Sequence, residues 1–326
     1  MLYQRAGARR DRKRFLDRDS LIDVGEGRSL YLSEKGTGGP TVVFESGISA
    51  TSLNWTHLQN EVSAFARAIA YDRAGLGWSS PSPYERTPSN IVRELRLLLR
   101  KAAIPPPYIL VGHSFGGVVV RRFAIDHPDE VSGLVLVDPM RTEDWDHSSG
   151  QNLSQSDELQ QGLRLTRIGL PCAYIGLARV ALTSLLTGSG TLSRLFGGLS
   201  GRDGQRVFER LTSEVGKMPP ETRPIVAAHW SSPHFYRGMA AHLRGVPATV
   251  LEMNTAKPIE NIPILLITPS TAEPLSSEAL QCIGPFTEQI IAEKSTHWVH
   301  LDEPTLVREA IQRVIEQLGS VRPHIR

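Results

Sequence analysis

An α/β architecture is the fold class this sequence predicts: a mainly parallel central sheet flanked by helices, with a helical insertion in the middle of the chain. Three observations predict it. Short β-branched apolar runs alternate with stretches of helical periodicity, the rhythm of βαβ units. That rhythm stops near Met140 and resumes near Ile262. An amphipathic closing helix then follows over 304–318, with Leu306, Val307, Ala310, Ile311, Val314 and Leu318 on one side. At 326 residues the chain has the length of one α/β core carrying an insertion.

The elements follow in order. Residues 20–24 and 29–33 flank Gly25-Glu26-Gly27 and predict a hairpin, and 35–40 is a Gly-rich turn. Residues 41–44 are a buried strand running into Glu45-Ser46-Gly47. A helix is expected near 55–65 and a strand at 67–71. Thr87 and Pro88 open a helix to Lys101, with Ile91, Val92, Leu95, Leu98 and Leu99 at helical spacing. Pro105-Pro106-Pro107 separates that helix from a strand at 108–111. A helix over 118–125 ends near His127-Pro128, and 133–137 is the next buried strand. In the insertion, loose helical periodicity is present around 159–170, 180–186 and 207–215, and the Gly-rich stretch 188–204 reads as mobile. Strands return at 262–268 and 289–292. The chain therefore divides into a basic N-terminal arm (1–19), a first part of the core (20–139), a helical cap (140–261) and a second part of the core (262–326).

Composition narrows the function classes. With 40% hydrophobic and 21% charged residues the chain reads as a soluble globular protein. A net charge of +2 gives no bulk electrostatic case for nucleic acid. No apolar run reaches the roughly 18–20 residues that cross a bilayer. Residues 1–20 lack the apolar segment of a signal peptide, so the expected location is cytoplasmic. Arg5, Arg9, Arg10, Arg12, Lys13 and Arg14 read as a solvated arm at a frayed terminus, with weak contact to an anionic membrane surface as the alternative. Cys172 and Cys282 form no CxxC and no Cys/His cluster, so neither a disulfide framework nor a metal site is expected. The oligomeric state is left open.

The sharpest chemical signal is Gly112-His113-Ser114-Phe115-Gly116-Gly117, between the strand Tyr-Ile-Leu-Val and a helix. This is G-x-S-x-G in the strand–turn–helix context that makes it a nucleophile elbow. The turn is so sharp that its neighbours must be small, and Gly112 and Gly116 meet that need. Ser114 then sits at a helix N-terminus, whose dipole favours developing negative charge. A serine hydroxyl needs a base to take its proton. His297 fits, on a loop after the last strand and before the last helix. His300 is its rival, and the strand-exit position favours His297.

Glu45-Ser46-Gly47, Tyr71-Asp72-Arg73-Ala74-Gly75-Leu76-Gly77-Trp78-Ser79, the Ser114 elbow, Leu134-Val135-Leu136-Val137-Asp138 and the stretch 297–304 follow in that order. Together they resemble the α/β-hydrolase superfamily, and in particular bacterial members whose motifs read YDRAGxGWS and VGHSFGG. The resemblance covers about 22–318 and excludes most of the cap. It implies the α/β-hydrolase fold, a Ser-His-acid triad, no cofactor and a small-molecule substrate. It implies a structural role at the rim of the site for Asp72 and Arg73. Superfamily enzymes that act on epoxides or carbon–halogen bonds use an Asp nucleophile, which Ser114 argues against.

The acid has two candidates under that resemblance. The commonest superfamily position follows the strand at 262–268, where Glu273 is the only carboxylate and sits off the usual spacing. A second solution places the acid after the preceding strand, here Asp138, and is the one favoured. Either would hold the imidazole tautomer and stabilise the imidazolium without taking the proton. The oxyanion hole is expected from the backbone N–H groups of Phe115 and Ile48. Relatives usually carry His-Gly in the second loop, where this chain has Ser46-Gly47-Ile48. His229, Trp230, Phe235, Tyr236 and Met239 cluster in the cap and read as core packing, with the lining of an apolar pocket as the alternative. The expected activity is serine hydrolysis of a small or medium uncharged carboxylic ester. The alternative is a ligand-binding or signalling protein of the same fold with little turnover.

Overall fold

The computed structural model describes residues 1–142, 153–186 and 213–320. Eight strands build one sheet: β1 (Leu21–Gly25), β2 (Arg28–Lys35), β3 (Thr41–Glu45), β4 (Arg67–Tyr71), β5 (Tyr108–His113), β6 (Val131–Val137), β7 (Ile264–Pro269) and β8 (Thr287–Ala292). Their order is β1-β2-β4-β3-β5-β6-β7-β8. β1 and β2 pair antiparallel, as do β2 and β4, and every later pairing is parallel. The helices are α1 (Leu2–Phe15), α2 (Thr56–Val62), α3 (Pro88–Lys101), α4 (Phe115–Asp126), α5 (Leu153–Ile175), α6 (Leu177–Leu186), α7 (Arg223–Trp230), α8 (Pro233–Arg244), α9 (Val246–Asn254), α10 (Ser277–Ile283), α11 (Val299–Asp302) and α12 (Pro304–Ser320).

The central strands β3, β5, β6 and β7 are apolar along most of their length because helices cover both faces of the sheet, whereas β1 and β2 at one side of the sheet and β8 at the other carry polar residues. Alternate side chains enter opposite cores. Val43, Leu110, Leu134 and Leu136 pack with Ile91, Leu95 and Leu98 of α3 and Phe123 of α4. Val42, Phe44, Ile109, Val111 and Val135 pack with Leu58 of α2 and Val307, Ile311 and Val314 of α12. Thr87 caps α3 by accepting from the Asn90 amide, with Pro88 in the first turn, the start read from the sequence. Truncating a fully buried leucine such as Leu98 to alanine is expected to cost about 2–5 kcal/mol.

Two regions depart from the reading above. The N-terminus is not a frayed arm. Residues 2–15 form α1, whose buried residues Gln4, Gly7 and Asp11 recur on one helical face. Asp11 pairs with Arg179 of α6, and Gln4 accepts from Arg179 and donates to the Ser231 carbonyl at 3.0 Å. The abundant cations mask this small polar face in the composition. In the insertion, α7, α8 and α9 were not individually anticipated. The stretch 188–204 and most of 207–215 lie outside the described residues. Helix α8 seats on the core at Gly238, where a Cβ would strike the carbonyl of Gly75. No single helix among the described residues is long and apolar enough to cross a membrane.

Candidate active site

Register assembles the site at the carboxyl edge of the sheet. Glu45 lies opposite Gly112 and His113 opposite Val137, so the residues that leave β3, β5 and β6 emerge side by side. These are Ser46-Gly47, Ser114 and Asp138. Ser114 has φ 53° and ψ −121°, the left-handed region that side chains rarely adopt. Its amide donates to the Val137 carbonyl at 3.1 Å, and its own carbonyl accepts from Gly117 and Met140. The glycines are sterically required. A Cβ on Gly112 would lie 2.5 Å from the Gly116 oxygen, and one on Gly116 would strike the Glu45 carbonyl.

Asp138, also at positive φ, is held by its amide to the Ile267 carbonyl at 2.8 Å. Its Oδ2 accepts from Nδ1 of His297 at 2.7 Å. That bond selects the tautomer whose Nε2 is an acceptor. The His297 ring lies 4.6 Å from the ring of His113, the residue before Ser114, and His113 Nε2 bonds the His297 carbonyl at 2.8 Å. Ser114, Asp138 and His297 are each half-buried. Glu273 is exposed, its carbonyl accepts from Arg141, and it is the Asp138 carboxylate rather than this one that bonds His297.

The His297 loop is pinned from both sides. Asp302 accepts from the amide and hydroxyl of Thr296 and pairs with Lys217 of the cap at 2.6 Å. Burial pushes the Asp302 carboxyl up, but Lys217 and Thr296 outweigh it and hold the group below its ordinary range. Glu303 accepts from the Lys294 amide and the Ser295 hydroxyl. His300, the rival base, is buried between Trp55 and His113, with ring centroids at 4.5 and 4.3 Å. Burial, then the nearby His297, lowers its imidazole to about 3, so it is neutral.

The loop carrying Ile48 has its own frame. Arg73 is buried and donates to Glu45 at 3.1 Å, to the Ser46 carbonyl at 2.8 Å and to the Gly47 carbonyl. Tyr71 donates to the other Glu45 oxygen. Burial pushes the Glu45 carboxyl up despite Arg73 and Tyr71. Ser46 accepts from the Trp55 indole at 3.0 Å and donates to the Thr51 carbonyl. Asp72 accepts from the Ser52 amide and hydroxyl and from the Trp78 amide. A Cβ on Gly47 would lie 3.7 Å from Cβ of Ser114, which puts this loop against the nucleophile candidate. Phe115 is the first residue of α4, so its N–H is one that a helix leaves without an internal partner. Sequence reasoning missed Glu45 and Tyr71 as the partners of Arg73. The signal was a glutamate ending the apolar run Thr-Val-Val-Phe, which demands a buried cation.

Ile48 also touches the cap. It packs against the cluster of Phe235, Met239 and Leu243, flanked by Leu159, Leu163, Trp230 and Tyr236. The rings of Trp230 and Phe235 lie 5.8 Å apart. His229, read with these residues, instead meets the edge of Trp78 at 4.5 Å. Among the described residues no group of three His, Cys, Asp or Glu side chains could hold a metal ion.

The profile described as "Alpha/beta hydrolase family" matches residues 42–310. The chain is 39% identical over 105 residues to "Uncharacterized protein YqjL" of Bacillus subtilis, covering 32% of this chain and 42% of that protein. It is 32% identical over 126 residues to "AB hydrolase superfamily protein" of Gibberella zeae, covering 36% and 39%. The matches thus span about two-fifths of the length of these relatives. The esterase EaEST of Exiguobacterium antarcticum superposes with a TM-score of 0.60 at 17% identity, over 91% of this chain and 99% of that one, a likeness of fold alone. The chain belongs to the alpha/beta hydrolase family.

Proposed function

We propose, starting from membership of the alpha/beta hydrolase family, that this protein is a serine hydrolase that cleaves a small or medium uncharged carboxylic ester. The observation that carries the reading is the 2.7 Å bond from His297 to Asp138, at the same sheet edge as Ser114 on its strained turn. Asp138 keeps the His297 proton on Nδ1 and leaves Nε2 as the base. His297 takes the Ser114 proton as Oγ attacks the carbonyl carbon. The tetrahedral oxyanion receives the N–H groups of Phe115 and Ile48, donors fixed before the reaction and therefore effective at small reorganisation cost. His297 then protonates the leaving alcohol, and water releases the acyl group by the reverse path.

An uncharged substrate is supported by two features. The buried cation beside the oxyanion loop, Arg73, is consumed by Glu45 and by backbone carbonyls. The side of Ile48 that faces the cap is lined by Phe235, Met239 and Leu243, an apolar wall suited to an acyl or alcohol chain. The test is hydrolysis of short p-nitrophenyl esters by the wild type and by Ser114→Ala, followed through the first turnover. A burst of p-nitrophenol equal to the enzyme concentration, absent in Ser114→Ala, is expected. A folded wild type that binds such esters without turnover would place the protein among ligand-binding members of the fold instead.

A further inference from the structure

A surface that takes no part in the contacts around Ser114 has a chemistry that hydrolysis does not use. Helix α5 buries one side against α8 and leaves Ile168, Pro171 and Ile175 exposed at helical spacing. Ile168 and Ile175 are 56% and 59% exposed, large apolar side chains that the described residues leave uncovered. At Gly176, with φ 87°, the chain turns through 93° into α6, where Leu177 and Val180 continue the exposed apolar surface. A Cβ on Gly176 would lie 2.7 Å from the ring of Tyr3, so the start of α1 abuts this bend. There Tyr3 and Leu2 are 55% and 82% exposed.

Helix α1 adds charge to that tip. Gln4, Gly7 and Asp11 face inward, which turns Leu2, Arg5, Arg9 and Lys13 outward at spacings of three and four. The acid of α1, Asp11, is consumed by Arg179. Arg5, Arg9 and Lys13 enter no ion pair among the described residues. Arg164, one turn before Ile168 on α5, and Arg167, next to that isoleucine, are exposed. The whole chain has a net charge of only +2, so this cation density is local. An exposed apolar tip beside a row of arginine and lysine has the complementarity of an anionic bilayer surface: the apolar groups enter the acyl boundary, and the cations stay with the headgroups. We propose that the α1 and α5–α6 tip docks this protein on anionic lipid. The docking stands independently of the hydrolase reading.

The test is vesicle flotation of the full chain, with phosphatidylcholine alone and with phosphatidylcholine mixed with phosphatidylserine. Flotation with the anionic vesicles only, suppressed at high salt, is expected. Each headgroup-facing cation contributes about fivefold in affinity. Arg9→Glu with Lys13→Glu is therefore expected to weaken binding about 25-fold or more. Ile168→Ser with Ile175→Ser is expected to weaken it about tenfold at unchanged charge. Circular dichroism and the melting temperature of both variants report that the fold is kept. Failure of the wild type to float, or equal flotation of the wild type and both variants, would overturn the proposal. So would sedimentation showing a dimer that the isoleucine variant dissolves, because a second copy would then cover this face.

Discussion

Around Ser114 the polar side chains are tied in specific directions. Asp138 holds His297, Arg73 and Tyr71 hold Glu45 and the loop beside the nucleophile, and Asp302 and Glu303 hold the strand-exit loop. Across the site the cap meets Ile48 through Phe235, Met239 and Leu243, contacts without direction. Its polar links to the core lie away from that wall, as in Lys217 to Asp302, Asn54 to Glu214, Ser89 to Glu252 and Arg86 to His242. Hydrogen bonds and ion pairs set positions to fractions of an ångström, whereas apolar packing tolerates exchange at constant volume. The sheet edge is built to keep one geometry, and the cap is built so that its lining can change without disturbing that geometry. Substitutions at the edge should therefore act steeply, and substitutions in the cap should act on preference.

The largest effect should come from Asp138→Asn, which removes the tautomer control on His297. A loss of about 10⁴-fold in kcat with an unchanged melting temperature is expected, while Glu273→Gln leaves kcat unaltered. Next comes Arg73→Met. It strands the Glu45 carboxylate in the core, and urea denaturation is expected to show about 3–5 kcal/mol of lost stability. Adding Glu45→Gln to that variant should recover part of the loss.

Acid sensitivity probes both regions, because buried neutral histidines occur in each. Burial lowers His300 at the edge and His229 in the cap to about 3, and lowers His242 of α8 as well. Their folded pKa values lie below the unfolded value near 6.5, so the unfolded chain binds more protons in acid. Stability is complete above about pH 6.5 and falls as the pH drops toward 3, by roughly 1.4 kcal/mol per pH unit for each imidazole. His300→Phe keeps the packing on Trp55 and should remove one such contribution from the slope between about pH 6 and 4, as read by denaturation at several pH values. The smallest effect is expected from Trp230→Ala in the cap. It should alter relative kcat/KM between short and long acyl esters by about tenfold, with the Ser114 burst intact. A fall in stability alone, at constant chain-length preference, would assign Trp230 to packing.

The parallel core was legible because both faces of its central strands are apolar and the runs are bounded by Gly and Pro, as at Pro105-Pro106-Pro107. Ser114 was legible because steric crowding forces Gly112 and Gly116 around it. Asp138 and Glu273 both stayed in play as partners of His297, because which strand exit faces that ring is a matter of sheet order that spacing does not encode; in the structure it is the Asp138 carboxylate that bonds His297. The α1 helix was missed because its buried face consists of Gln4, Gly7 and Asp11, none of them apolar. Helices α7 to α9 were missed for a different reason. Phe235, Met239 and Leu243 of α8 and Val246, Val250 and Met253 of α9 do recur at helical spacing, but the helices are 8, 12 and 9 residues long and follow one another across breaks of one or two residues, so their short periods run together in the sequence.

The measurement that bears most directly on the account is intact-mass analysis after exposure to a fluorophosphonate, run on the wild type, Ser114→Ala and Asp138→Asn. The account predicts a single adduct on the wild type within minutes, none on Ser114→Ala, and an adduct on Asp138→Asn that forms orders of magnitude more slowly. Equal labelling of the wild type and Asp138→Asn, or labelling that survives the loss of Ser114, would contradict it.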